Sequence, residues 1–322
     1  MEASITLRPG YALPEEEQIA ATYQHLLRRL SHQSVVKHFD AYADIDWDAD
    51  EYRIDPEDPC WELGSDDVLG ATAWYRAQPQ SARARLGLHL VATKMKIGTQ
   101  FENVLQRGLL EFAWTLPNGA PEFRYAYHEV IEEAHHSLMF QEFVNRSGLD
   151  VAGMPWYMEI GARRVVKLGR RFPELFFLFV LGGEDPIDFV QRRALRSGQP
   201  VHPLLERIMR IHVTEEARHL SFARSYLRRR VPHLSRRRRL ALAVQTPVIL
   251  GTMAQLMLRP APEVVRTHSI PRAVIRAAYK HNLEHDAYVR ASLRKVRQLA
   301  VELGLVTPVS RPIWKAFGIW GD

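Results

Sequence analysis

The sequence predicts an all-α protein, on three observations. Apolar residues recur at three- and four-residue spacing over long stretches, the period of a helix and not of a strand. Those stretches are divided by Pro and Gly, often with Pro opening the next one. No strand-like alternation persists, no Gly-rich phosphate loop opens a helix, and no Gly-x-Ser-x-Gly is present. With 322 residues, 46% hydrophobic and 25% charged, the chain can bury one large core. It reads as a single domain, residues 1–322.

Taken in order, residues 1–12 read as a loose arm, and Pro14 followed by Glu15, Glu16 and Glu17 starts a helix reaching about Arg29. A short helical piece follows over 34–42. Residues 44–61 are too acidic and Pro-broken to be regular and read as a surface loop. Helical periodicity returns at about Asp66 to Arg76 and then holds from about Ser81 to Trp114. Pro121 opens the next helix, which stops near Arg146 before Gly148. A connecting helix spans about Tyr157 to Leu168. Another runs from Pro173 to about Arg196, with a kink expected at Glu184 because Pro186 opposes the carbonyl of Gly182. Pro203 to about Arg230 follows. Leu240 to Leu258 approaches membrane-spanning length, yet it contains Gln245, Thr246, Pro247, Thr252 and Gln255, which suit a buried bundle helix better. One last helix is expected over Pro271 to Leu303, then an irregular tail.

Two of these helices carry the same pattern, Glu-Glu-Ala-x-His, at 132–136 and again eighty-three positions later at 215–219. Residues three apart share a helix face, so Glu133 pairs with His136 and Glu216 with His219. The first copy alone would also allow Glu132 with His135, but the second has Arg218 at that place, and arginine cannot ligate a metal. Two lone acids precede the motifs on the preceding helices. Glu102 lies late in a long helical pattern, and Glu184 follows the most apolar run in the chain. A carboxylate in such surroundings is costly unless it has a task. Glu, Glu-x-x-His, Glu, Glu-x-x-His is the ligand set of ferritin-like di-metal carboxylate bundles. The expected architecture is therefore a ferritin-like four-helix core, about 81–230, with additional N- and C-terminal helices. His212 shares a stripe with Glu216 and His219 and adds a seventh candidate ligand.

With that extra histidine, the arrangement resembles the p-aminobenzoate N-oxygenase (AurF-like) di-iron oxygenases, over approximately residues 30–230. The resemblance rests on Glu102, Glu133, His136, Glu184, His212, Glu216 and His219. It implies two iron ions cycling between Fe2+ and Fe3+, O2 as co-substrate, and oxidation of an arylamine toward hydroxylamine and nitro products. Glu133 and Glu216 are then expected to bridge the ions. Glu102 and His136 would complete one ion, and Glu184, His212 and His219 the other. The catalytic roles fall to Glu133, Glu216 and His212. Oxygen and imidazole donors suit iron, with manganese the alternative. Glu132 and Glu215 are expected to take the second N–H of the opposing motif's histidine. Glu129 and Asp188, a turn from Glu133 and Glu184, are weaker candidates for the surroundings of the site. Thr99, Leu105, Met139, Phe140, Val180, Leu181 and Phe222 would line an apolar substrate pocket.

Two alternatives stand beside the N-oxygenase. One is a ferritin-like metal-binding or oxidase protein acting on a different, C–H or acyl, substrate. The other is a helical interaction protein holding no metal. No flavin or nicotinamide motif is present, so an oxygenase of this kind needs an external electron donor. A small-molecule substrate and a homodimer complete the expected partners. The net charge of +6 concentrates at Arg228–Arg230 and Arg236–Arg239. No aromatic residues interleave with them, so they read as a solvated turn and not as a nucleic-acid platform. The single cysteine, Cys60, excludes an intrachain disulfide and a thiolate cluster. No secretory signal is visible, and the expected location is the cytoplasm.

Overall fold

The computed structural model describes residues 15–280 and 282–321, so the arm read over 1–12 lies outside the described residues. Among the described residues there is no strand, and the fold is a ferritin-like helical bundle with further helices at both ends.

The helix α1 (Glu15–Val36) is continuous where the sequence suggested a break near Arg29. Tyr23, Leu27, Leu30 and Ser34 form one buried stripe at helical spacing, and this burial carries the helix through. Residues 66–76, expected to be helical, form only the four-residue α2 (Ala73–Arg76). The Asp67 side chain accepts from the N–H groups of Leu69 and Gly70 and holds the chain in a turn instead.

Next come α3 (Gln80–Ala113), α4 (Pro121–Ser147), α5 (Trp156–Arg171), α6 (Pro173–Arg196) and α7 (Pro203–Arg230). Their boundaries lie within a few residues of those expected. At 34 residues, α3 is about 50 Å long. Gly148, with φ +68°, ends α4 in the left-handed conformation that a glycine tolerates. Helical structure in α6 runs through Pro186.

α3 packs on α4 and α6 on α7, and the pairs meet through α4 with α7 and α3 with α6. Short loops within each pair make the partners antiparallel. One end of the core is closed by a cluster of Phe112, Tyr125, Phe177, Phe222 and Tyr226, with edge-to-face contacts at 4.8–5.3 Å such as Phe177 on Phe222 at 5.2 Å. Each such pair adds about 0.5–1.5 kcal/mol to its area burial. At Gly183 a Cβ would stand 2.1 Å from the Phe101 ring, so only glycine lets α6 approach α3 beside Glu184.

Beyond the core, α8 (Arg236–Met257) is long and apolar enough to cross a membrane by composition. Its Leu242, Ala243, Leu250, Met253 and Ala254 are nonetheless part of the main protein core. The buried Thr246 hydroxyl is satisfied by the Leu242 carbonyl. We expect low-salt fractionation to leave the chain in the supernatant; release by detergent alone would contradict the core reading of α8.

The arginine run is used in packing. Arg228 pairs with Glu302 at 2.7 Å, Arg238 donates to the Arg171 carbonyl at 3.0 Å, Arg239 donates to the Leu303 carbonyl at 2.9 Å, and Arg229 lies over the Tyr23 ring.

After α9 (Pro262–Thr267), the single helix expected over 271–303 is three: α10 (Arg272–Tyr279), α11 (Leu283–Ser292) and α12 (Arg294–Glu302). Asn282 restarts the chain by accepting from the N–H groups of Glu284 and His285. The tail is likewise more ordered than expected, because α13 (Arg311–Ala316) buries Trp314 completely.

Candidate metal centre

The bundle brings all seven sequence-predicted ligands into one region between α3, α4, α6 and α7. Glu102, Glu133, His136, Glu184, His212, Glu216 and His219 are each at most 2% exposed. The two Glu-x-x-His pairs face each other. His136 Nδ1 lies 2.9 Å from Glu133 Oε2 and 3.4 Å from Glu216 Oε1. His219 Nδ1 lies 3.0 Å from Glu216 Oε1 and 3.2 Å from Glu133 Oε1. Both motif carboxylates are thus within reach of both rings, the placement a bridging carboxylate needs. Glu102 Oε1 stands 3.6 Å from His212 Nε2, and Glu184 shares a donor group with His212 and Glu216. His212 therefore faces Glu102 and His136 as well as Glu184 and Glu216, and its ring centre is 4.7 Å from that of His136.

The far nitrogen of each motif histidine is held as the sequence suggested. Glu215 Oε2 accepts from His136 Nε2 at 2.9 Å, and Glu132 Oε2 accepts from His219 Nε2 at 2.7 Å. These cross-links fix the rings so that Nδ1 points to the centre. Arg218 ties the two acids together, at 2.8 Å to Glu132 and 3.3 Å to Glu215. It also explains the one departure between the two copies of the motif. The loop after α1 closes over this layer, with the Phe39 N–H donating to Glu215 Oε1 at 3.1 Å. Replacing Arg218 with Met leaves two buried carboxylates without their shared cation. The expected loss is about 3–5 kcal/mol in a denaturant titration, and a loss below about 1 kcal/mol would show that the cation is dispensable.

One residue that orients the site was missed. Gln191, buried on α6 seven residues after Glu184, accepts from His212 Nδ1 at 2.9 Å. That hydrogen bond places the lone pair on Nε2, the atom turned toward the carboxylates. The signal lay in the sequence, since seven residues are two helical turns and put Gln191 on the stripe of Glu184. Asp188 has a different role from the one considered for it, being bound by Arg192 at 2.5 Å and Lys295 at 3.4 Å.

The electrostatics are those of a site short of positive charge. Burial, and then the neighbouring carboxylates, hold Glu102 and Glu184 well above the usual range, and burial raises Glu216. Burial acts to lower His136, but hydrogen bonds to Glu133 and Glu215 outweigh it and lift the ring to about 10. His219 is raised in the same way, against burial, by Glu216, Glu133 and Glu129. His212, desolvated and next to His136, is pushed well below its ordinary value and is neutral. Protons thus occupy the positions that cations would neutralise. The donor set fits metal: Glu102 Oε2, Glu133 Oε1 and Glu216 Oε2 are buried with no hydrogen-bond partner among the described residues.

A cavity of about 770 Å³ opens between α3, α4 and α5. Of the residues expected to line a pocket, only Thr99 does so. Leu105, Met139, Phe140, Val180, Leu181 and Phe222 are core residues. Helix packing demands the same apolar types at the same spacing as a binding pocket, so the sequence could not separate the two. The observed lining is more polar, including Gln100, Asn103, Gln106 and Arg107. Thr99 and Gln106 stand about one turn either side of Glu102, Ser137 one turn after Glu133, and Gln106 donates to the Glu133 carbonyl at 3.1 Å.

A helical bundle that turns four carboxylates and three imidazoles onto one buried region belongs, by class, with the ferritin-like carboxylate–histidine proteins. The family described as P-aminobenzoate N-oxygenase AurF matches residues 20–304, and the chain belongs to that family of di-iron oxygenases. Uncharacterized proteins of Mycobacterium tuberculosis and Mycobacterium bovis are 38% identical to it over 301 residues, covering 94% of this chain and 88% of theirs. No solved structure matches it significantly.

Proposed function

We propose that the chain is a non-haem di-iron monooxygenase that uses O2 to N-oxygenate a small arylamine. The observation that carries this reading is His212. Its Nε2 is turned toward Glu102 and Glu216 and supplies a third nitrogen beyond the generic carboxylate–histidine set. Glu102, Glu133, His136, Glu184, His212, Glu216 and His219 would hold the metal. Iron supplies the redox chemistry with O2 there, and manganese is the alternative metal.

The protein's own contribution is positional. Glu132, Glu215 and Gln191 fix the rings, Arg218 balances the outer acids, and the surrounding core keeps bulk water from the reaction. The amine would come from solution and the electrons from a separate donor. The single cysteine supports a reducing, cytoplasmic setting. An exposed apolar stripe along α4, Phe123, Tyr127, Ile131 and Leu138, would serve a homodimer.

The test is turnover. Iron-loaded protein supplied with O2 and a chemical reductant should convert members of an arylamine panel to hydroxylamines and leave alkyl amines unchanged. O2 consumption with oxidation of a C–H or acyl substrate, and of no amine, would replace N-oxygenation with the ferritin-like oxidase alternative.

A further inference from the structure

We propose that Glu129 is an additional carboxylate donor to the metal centre, the counterpart in α4 of His212 in α7. The inference rests on the reading of this region as a metal site, and it adds a donor that the seven-residue set does not contain.

The internal repeat carries the first part of the argument. The offset of eighty-three positions that relates Glu132, Glu133 and His136 to Glu215, Glu216 and His219 also relates Glu129 to His212. Each stands one turn before its motif glutamate, on the same face of its helix. If His212 is turned to the centre, the repeat turns Glu129 there too.

The geometry agrees with the repeat. A carboxylate oxygen of Glu129, a ligand atom of Glu133 and a ring nitrogen of His219 lie within 4.8 Å of one another. On the other side, His212 forms the corresponding group with His136 and Glu102. Each extra residue therefore approaches the histidine of the opposite motif.

The surroundings of Glu129 argue against a structural role. The residue is 0% exposed, and neither of its oxygens has a hydrogen-bond partner among the described residues. A carboxyl group retained in the core without partners destabilises the fold, so packing alone does not account for it. The nearby cation, Arg218, is engaged by Glu132 and Glu215. The phenol of Tyr125, one turn further back, is equally buried and equally without a partner. An eighth donor would add an anionic oxygen to the ion beside His219. The harder oxygen donor favours the ion in its higher charge state.

The experiment compares the parent chain with Glu129→Gln and Glu129→Leu, using anaerobic titration with Co2+ and Fe2+ and thermal unfolding of the metal-free proteins. Calorimetry should show the affinity of one of the two ions falling about tenfold to a hundredfold in both variants. The visible Co2+ bands should change for that ion, because they report coordination number. The metal-free variants should unfold at or above the parent temperature, since a buried carboxyl without partners has been removed. Parent-like affinities and spectra in Glu129→Gln would overturn the proposal. So would failure of both variants to fold, which would make the residue structural. A parent chain that binds neither metal would overturn the metal-site reading itself, an outcome distinct from loss of one donor.

Discussion

Loaded anaerobically with ferrous iron, the parent chain is expected to hold two ions, and Glu133→Ala to hold close to none. Glu133 stands within 3.2 Å of both motif histidines, so its loss removes a donor common to the two positions. Removing Glu102 or Glu184 should take one ion's outer carboxylate and weaken uptake less. Loading should also stabilise the fold, because the unfolded chain has no such site. At a free metal concentration a hundred times the dissociation constant, each ion adds about 2.7 kcal/mol.

The pH dependence of loading follows from the protons already in place. Hydrogen bonds to Glu133 and Glu215 keep His136 protonated up to about 10, and Glu102 and Glu184 also hold protons longer than usual. Metal must displace these protons, so uptake should weaken as pH falls and should release protons into weak buffer. For the metal-free fold the sign is reversed. A histidine whose pKa is raised in the folded state contributes stability that is full below about 6.5 and lost as pH climbs toward 10. Chelator competition at pH 6 and pH 8 checks the first statement, and tighter binding at pH 6 would contradict it.

The second large effect concerns His212. His212→Ala should keep its iron, since six of the seven ligands remain, and should lose most of its arylamine oxidation, by about tenfold to a hundredfold or more. The neutral ring, fixed by Gln191, presents Nε2 to Glu102 and Glu216. Gln191→Leu should reproduce part of the loss by freeing the ring to turn. Iron content and hydroxylamine yield, measured on the same samples, separate loss of metal from loss of chemistry. Unchanged yield in His212→Ala would remove His212 from the reaction.

The site was more legible in the sequence than the periphery, for a physical reason. Glu-x-x-His depends on helical spacing alone, and its repetition fixed the register through Arg218 without knowledge of the fold. The roles of Glu132 and Glu215 followed from the same symmetry, and the structure shows the crossed hydrogen bonds. Gln191 was missed because a glutamine carries no metal signature and matters only through the histidine it touches. The ends were harder. Continuation of α1 past Arg29 depends on tertiary burial of Leu30 and Ser34, and the three-way division of 271–303 depends on the Asn282 cap. Order in the tail depends on one tryptophan, Trp314, entering the core. Of the residues expected to line a pocket, all but Thr99 sit in the core, since apolar residues at helical spacing belong to a core as readily as to a pocket.

The central claim is that α3, α4, α6 and α7 hold a pair of iron ions between their carboxylates and histidines. Anomalous diffraction from iron-loaded crystals, recorded on either side of the iron absorption edge, tests it most directly. The account predicts two peaks about 3.5–4 Å apart, between Glu133 and Glu216, with Glu102, His136, Glu184, His212 and His219 around them. No peak in that region, or iron held only at the protein surface, would contradict it.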